Sequence, residues 1–181
     1  MRYLSLIKSA ESNIKELSKI WMKEIKQSEY APTYNSLDED KVYERGCNVF
    51  ENLFEWFNEG ANIPDIQNYY EKVGAERNRE GFPLTEVIFA VYLTKKIFGE
   101  FLGRSSIVES FTNKELLEFN ELVNSYFDQG IFHITKGYLN QLFDELDATK
   151  KFSTDELKVL LTQGKLDLDD VDDEDFIWRH I

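Results

Sequence analysis

Residues 69–102 read YYEKVGAERNREGFPLTEVIFAVYLTKKIFGEFL, and this stretch decides the fold. A polar, arginine-bearing segment meets a Gly-Phe-Pro corner and passes into a strongly apolar one. Leu84, Val87, Ile88, Val91, Tyr92, Phe98 and Leu102 recur at spacings of three and four, which predicts a helix over 84–102 with a broad buried stripe. Pro83 suits the first turn of that helix, because its missing N–H would be unpaired there in any case. It also pushes Phe82 out of helical geometry. Gly81 supplies the residue that ends the preceding helix. Two helices are therefore expected to meet at Gly81-Phe82-Pro83, with Phe82 packed into their junction.

The helix before the corner, residues 64–80, carries Ile66, Tyr69, Tyr70 and Val73, then the run Glu76-Arg77-Asn78-Arg79-Glu80. Cations in a last turn complement the helix dipole and pair with acids three or four residues away, here Glu76, Glu80 or Glu86. Arg77 and Arg79 are thus first of all helix-end residues. Their sharper reading is an anion or partner contact. Arg77, Arg79, Phe82, Pro83 and Glu86 make up the candidate contact set of the corner. A net charge of −13 opposes long-range attraction of anions to it.

The run from Gly74 through Arg77, and then Arg79-Glu80-Gly81-Phe82-Pro83-Leu84-Thr85-Glu86-Val87, resembles the signature of the RsbRD-type N-terminal domain. Such domains stand at the front of bacterial stress-response regulators that antagonise the switch kinase RsbT, and of some sensor histidine kinases. Phe127-Asp128 and Gly137-Tyr138-Leu139 are similar to the helix that closes them. With Trp21, the resemblance spans residues 10 to 145. It implies an all-α, globin-like fold without haem, and a regulatory role exerted through a partner or a second copy. Family members usually carry a C-terminal STAS or kinase domain. Neither follows here, so action in trans is the expectation, with the acidic, aromatic C-terminal segment as its contact.

Working outward, Leu4, Ile7, Ile14, Leu17, Trp21 and Ile25 form one stripe, predicting a single amphipathic helix over 3–27 that Ser9 and Ser12 could interrupt. Residues 30–35, with Pro32, read as a loop. Ser36-Leu37-Asp38-Glu39 has capping-box spacing and opens a helix to about residue 58. Val42, Tyr43, Val49, Phe50, Leu53, Phe54, Trp56 and Phe57 cover more than one of its faces, so its end should be deeply buried or meet another chain. Gly60 stops it. After a break at 103–106, Thr112-Asn113-Lys114-Glu115 repeats the capping box. From there Leu116, Phe119, Val123, Phe127, Ile131, Ile134, Tyr138 and Leu142 hold one face of a long helix. Gly130 and Gly137 within it imply close approach of a neighbouring helix rather than a ligand cavity. Ser153-Thr154-Asp155-Glu156 caps a short final helix.

The expected fold is therefore all-α: about five main helices in a bundle or globin-like arrangement over 1–150, and a short acidic helical appendage over 151–181. That appendage holds nine acids against four bases. Phe176, Ile177 and Trp178 are its candidate contact residues. Its aspartate run does not fit a calcium loop: counted from Asp167, the sixth position is Asp172 instead of glycine and the twelfth is Trp178 instead of glutamate.

Composition narrows function further. One cysteine, Cys47, allows no internal disulfide and has no zinc-site spacing, and reads as a small packed residue. Twenty-one basic residues against 34 acidic ones argue against a nucleic-acid surface. No apolar run approaches the ~18 residues of a membrane span and no signal peptide is evident, so a cytoplasmic protein is expected. Two histidines and scattered glycines assemble no phosphate loop, zinc motif or catalytic triad, so no enzyme and no cofactor is expected. The leading expectation is a non-enzymatic sensory or regulatory module with a protein partner or a homodimer. The alternative is a small-ligand or haem-binding helical sensor, with His133 as the only histidine placed beside an apolar stripe. A satisfied core histidine is the simpler reading of it.

Overall fold

The computed structural model describes residues 4–148; the appendage, its capping box and Phe176, Ile177 and Trp178 lie outside the described residues. Every regular element described is helical: α1 (Leu4–Glu11), α2 (Ile14–Gln27), α3 (Pro32–Asn35), α4 (Glu39–Asn58), α5 (Ile63–Arg79), α6 (Leu84–Gly103) and α7 (Asn113–Ala148), with a 3₁₀ turn at Ser106–Ser110. The all-α expectation holds.

The first predicted helix is broken in two. Ser12 Oγ and Asn13 Nδ2 each donate to the Ser9 carbonyl at 2.8 Å. Short polar side chains compete with the helical ladder in this way, and the chain kinks between α1 and α2. The expected loop at 30–35 contains a helical turn with Tyr34 buried in the core. The cap of α4 also differs: Asp38, not Ser36, accepts from the Asp40 N–H at 2.9 Å, while Ser36 Oγ donates to the Thr33 carbonyl. At α7 the capping box forms as expected. The Thr112 N–H donates to Glu115 Oε2 at 2.9 Å, and the Glu115 N–H returns to Thr112 Oγ1 at 3.3 Å.

α4 is buried on several faces near its end, through Phe50, Leu53, Phe54, Trp56 and Phe57. It crosses α2 at Gly46, where a Cβ would come within 3.1 Å of the Trp21 ring. Trp21 donates its indole N–H to the Ala90 carbonyl at 3.3 Å, fixing α2 on α6. α4 stops at Gly60, whose φ of +91° only glycine adopts without strain. An aromatic chain then runs across the core: Trp56 meets Tyr126 at 4.9 Å between ring centres, and Tyr126 meets Tyr70 at 5.7 Å. In this range offset and edge-on rings add about 0.5–1.5 kcal/mol per pair beyond burial.

The closest helix pair is α5 against α7. A Cβ on Gly137 would stand 2.6 Å from Glu71 Cα, and one on Gly74 would stand 2.8 Å from the Tyr138 nitrogen. A Cβ on Gly130 would meet the Tyr70 ring at 2.7 Å. The close approach expected at Gly130 and Gly137 is thus present, with Gly74 answering from the other helix. On α6, Tyr92 departs from the predicted buried stripe and is 55% exposed. Val87, Val91 and Phe98 of that stripe are buried as expected, and Leu93 and Ile97 join them.

Candidate functional site

The Gly-Phe-Pro corner is built as a glycine-terminated helix end. Gly81 adopts φ +77°, its N–H donates to the Asn78 carbonyl at 2.9 Å, and the Phe82 N–H donates to the Arg77 carbonyl at 3.0 Å. This doubled pattern satisfies two carbonyls that the end of α5 would otherwise leave open. Pro83 sits just before α6 in extended geometry, φ −59° and ψ 137°, one step earlier than the sequence suggested. Its carbonyl accepts from Glu86 and Val87. Phe82 is buried as expected. Its ring lies 4.9 Å from the Tyr34 ring and 4.9 Å below the Arg45 guanidinium, and its carbonyl accepts from the Tyr138 hydroxyl at 2.7 Å.

Arg77 takes the helix-end role: its Nη1 is 2.9 Å from Glu80 Oε2. The same oxygen is 2.8 Å from Arg45 Nη2, contributed by α4. Both arginine side chains are largely covered, at 14% and 16% exposure, whereas Glu80 is 41% exposed. Arg45 Nη1 is buried with no hydrogen-bond partner among the described residues. The Tyr34 hydroxyl sits against both guanidinium groups; burial pushes its pKa up, and Arg77 and Arg45 restrain the rise.

Glu86 does not reach either arginine. It is buried and turned toward α3, accepting from the Thr33 N–H and from Thr33 Oγ1, each at 2.9 Å. Its carboxylate caps the short helix that carries Tyr34, which supplies the donor partners a buried carboxylate requires. Arg79 is exposed at the last position of α5 and forms no ion pair among the described residues. Of the five candidates, Arg77, Phe82 and Glu86 converge through Tyr34 and Thr33, while Arg79 and Pro83 face outward.

Sequence reasoning missed Arg45, Tyr34 and the cavity behind them. That cavity measures about 430 Å³ and lies among α2, α3, α4, α5, α6 and α7. Trp21, Tyr34, Tyr69, Tyr70 and Val91 form much of its apolar wall; Arg45, Arg77 and Asn48 sit at one side, and Glu51, Glu55, Lys72 and Glu76 also line it. Burial pushes the Tyr69 phenol up to about 12 and the Tyr70 phenol further. The Tyr126 hydroxyl, above its ordinary value for the same reason, donates to Asn52 Oδ1 at 2.9 Å. A shallower hollow of about 330 Å³ lies outside the arginines, lined by Lys41, Glu44 and Glu80 as well as by Arg45, Asn48 and Arg77. The last three residues therefore line both the half-open cavity and the outer hollow.

His133 is buried in α7 and does not line the cavity. Its Nδ1 is 3.0 Å from Glu71 Oε1, and Lys136 Nζ is 2.8 Å from the same oxygen. Its ring is engaged at the α5–α7 crossing, so it does not fit the part of an axial haem ligand in that cavity. Among the described residues, no group of three His, Cys, Asp or Glu side chains is placed to hold a metal ion, and no helix is long and apolar enough to cross a membrane.

A family model described as histidine kinase N terminal matches residues 4–140, and the match takes in the corner, both arginines and every helix that lines the cavity. The chain belongs to the histidine kinase N-terminal family. No curated protein and no solved structure matches it. The resemblance noted in the sequence thus resolves toward the sensor-kinase side. As a histidine kinase N-terminal domain, the chain is of a sensory and regulatory kind.

Proposed function

We propose that this histidine kinase N-terminal domain is a non-enzymatic sensory or regulatory module that acts by contact with a protein partner or with a second copy of itself. The observation that carries the reading is a solvent-facing aromatic strip. Tyr30 (66% exposed) lies 5.5 Å from the Phe89 ring, and Phe89 lies 6.0 Å from Tyr92. Rings clustered in water, beside a core already filled with aromatics, suit a contact surface. Nearby lysines are internally paired, Lys95 with Asp128 at 3.2 Å and Lys96 with Glu24 at 3.0 Å. Those four side chains therefore add no net charge beside the strip, within a chain of net charge −13. That favours self-association there, because two strongly acidic bodies meet most cheaply through uncharged surface. Light scattering coupled to chromatography tests it. A dimer that becomes a monomer in Tyr92→Glu is expected; a wild-type monomer at every concentration tried, with no binding partner, refutes it. In its finer form the reading places the domain in stress-response signalling of the RsbRD kind, supported by the Arg79-Glu80-Gly81-Phe82-Pro83-Leu84 corner.

A second reading, a small-ligand sensor, is favoured by the cavity of about 430 Å³, which falls in the size range of ligand sites. Thermal-shift screening of small organic compounds tests it: stabilisation by at least one of them is expected, and a flat response across neutral and charged compounds refutes it.

A further inference from the structure

We infer that the groove between α2 and α6 is a docking site for the C-terminal segment of the same chain, with Phe176, Ile177 and Trp178 on its apolar lining and the acids of residues 167–175 against the lysines of α2. The segment expected from the sequence to make a contact in trans is thereby held by its own domain until a competitor displaces it.

The groove measures about 710 Å³ and runs between α2, α6 and the 3₁₀ turn at Ser106–Ser110. Leu17, Ile20, Ile97, Phe101 and Ile107 are its apolar lining. Its acids are mostly engaged: Glu24 is 3.0 Å from Lys96, and Glu100 is 3.7 Å from Arg104. Glu16 is the acid of the lining that forms no ion pair among the described residues. The lysines are not engaged in this way. Lys15, Lys19 and Lys23 follow one another at spacings of four, which sets them along one side of α2. All three are exposed, and none forms an ion pair among the described residues.

Charge selects the occupant. Residues 1–27 hold six bases against three acids, in a chain of net charge −13. Residues 166–181 hold seven acids against one base, and the acids run directly into Phe176, Ile177 and Trp178. An acidic run ending in aromatics matches an apolar groove edged by unpaired lysines, because complementary charge fixes the register and aromatic side chains supply the anchors.

Reach and tethering select the same chain over a second one. The groove adjoins the turn that leads into α7, and the 36 residues of α7 span about 54 Å. Phe176 lies 28 residues beyond Ala148, a length of chain that extends to roughly 90 Å. A tethered segment also meets its site at an effective concentration on the order of millimolar, above that of a separate chain.

The test is carbodiimide coupling of the full chain at low ionic strength, which joins a lysine amine to a carboxylate in contact with it. Mass spectrometry of a mixture of isotopically light and heavy chains then separates links within a chain from links between chains. Links from Lys15, Lys19 or Lys23 to residues 167–175 of the same chain are expected, with none from Lys72, an exposed lysine of α5. They should disappear at high salt, as surface charge pairing does. They should also disappear in the Lys19→Glu/Lys23→Glu double variant, whose fold circular dichroism checks. Trp21 and Trp56 are buried, so acrylamide quenching reads Trp178 above them: it should be weak in the wild type and rise in the double variant. Absent links, links equally frequent from Lys72, or links and quenching unchanged in the double variant would each overturn the inference. Links found only between light and heavy chains would overturn it too, and would give the groove to a second copy.

Discussion

Replacing Gly137 by alanine asks how tightly the α5–α7 pair is set. The added Cβ would stand 2.6 Å from both Cα and the carbonyl carbon of Glu71, and closer still to its oxygen. Ordinary carbon–carbon contact lies near 3.5 Å, so the backbones must part by roughly 1 Å. The atoms met belong to main chain, and no flexible side chain can swing aside to absorb the shift. Parting the helices loosens Tyr70, Tyr126 and Ile134, all buried along that face. Overpacking of this kind costs about 1–3 kcal/mol or more, set against a gain of up to about 1 kcal/mol in helix propensity. A net loss of about 2 kcal/mol is expected. Gly99, on the outer side of α6, provides the control, because a Cβ there meets nothing within 4 Å and alanine should stabilise by about 0.5–1 kcal/mol. Urea unfolding followed by far-ultraviolet circular dichroism measures both variants. Stabilities within about 0.5 kcal/mol of each other would refute the reasoning, since the contrast rests entirely on the neighbouring backbone.

Glu86→Ala leaves the Thr33 N–H and hydroxyl, each bonded to the carboxylate at 2.9 Å, without their acceptor, and is expected to cost about 1–3 kcal/mol in the same unfolding assay. Loss of less than half a unit on that scale, roughly 0.5 kcal/mol, would mean the cap of α3 contributes little. Tyr34, Tyr69, Tyr70 and Tyr126 have phenols raised above the ordinary value of 10.0 by burial. Their folded pKa values exceed the unfolded ones, so their contribution is complete below that value and is lost as pH climbs beyond it. Phenolate absorbance should show these four appearing only together with unfolding, and an early rise accounting for all nine tyrosines would contradict their burial. Glu71 is shifted the other way. The hydrogen bond from Lys136, and secondarily the one to His133, hold its carboxyl below the usual 4.5 against the effect of burial. Its contribution is present above that value and lost as pH falls through the folded pKa. Glu71→Gln should therefore flatten the acid limb of the stability profile, and an unchanged limb would show the crossing to be indifferent to that charge.

Much of the architecture was legible because helical periodicity is a local property. The stripes of α4 and α7, the Gly81 stop and the Thr112 capping box needed only residues within one turn of one another. The two glycines of α7 could likewise be read as a contact face, though nothing local identified Gly74 as their counterpart. The failures share a cause. Whether Ser12 and Asn13 break a helix depends on which carbonyl their side chains capture, and Tyr34 is buried only because Phe82 and Trp21, both distant in sequence, surround it. Arg45 looked like any arginine on the outer face of α4. Its importance comes from Glu80, 35 residues away, and from a cavity that exists only once six helices are assembled. Candidate residues at the corner were thus found by motif, while the partner that completes the arginine pair had no sequence signal.

The intimate joining of α5 with α7 bears on how the chain is made. Glu71 and His133 are separated by 62 positions, so during synthesis α5 leaves the ribosome long before its mate exists. Until α7 emerges, the Gly74 face of α5 and the cavity wall formed by Tyr69 and Tyr70 have no lid. Closing so long a loop is slow compared with forming either helix alone, so α7 docking is expected to set the pace of maturation. A nascent chain halted before residue 113 would be the form most in need of a chaperone.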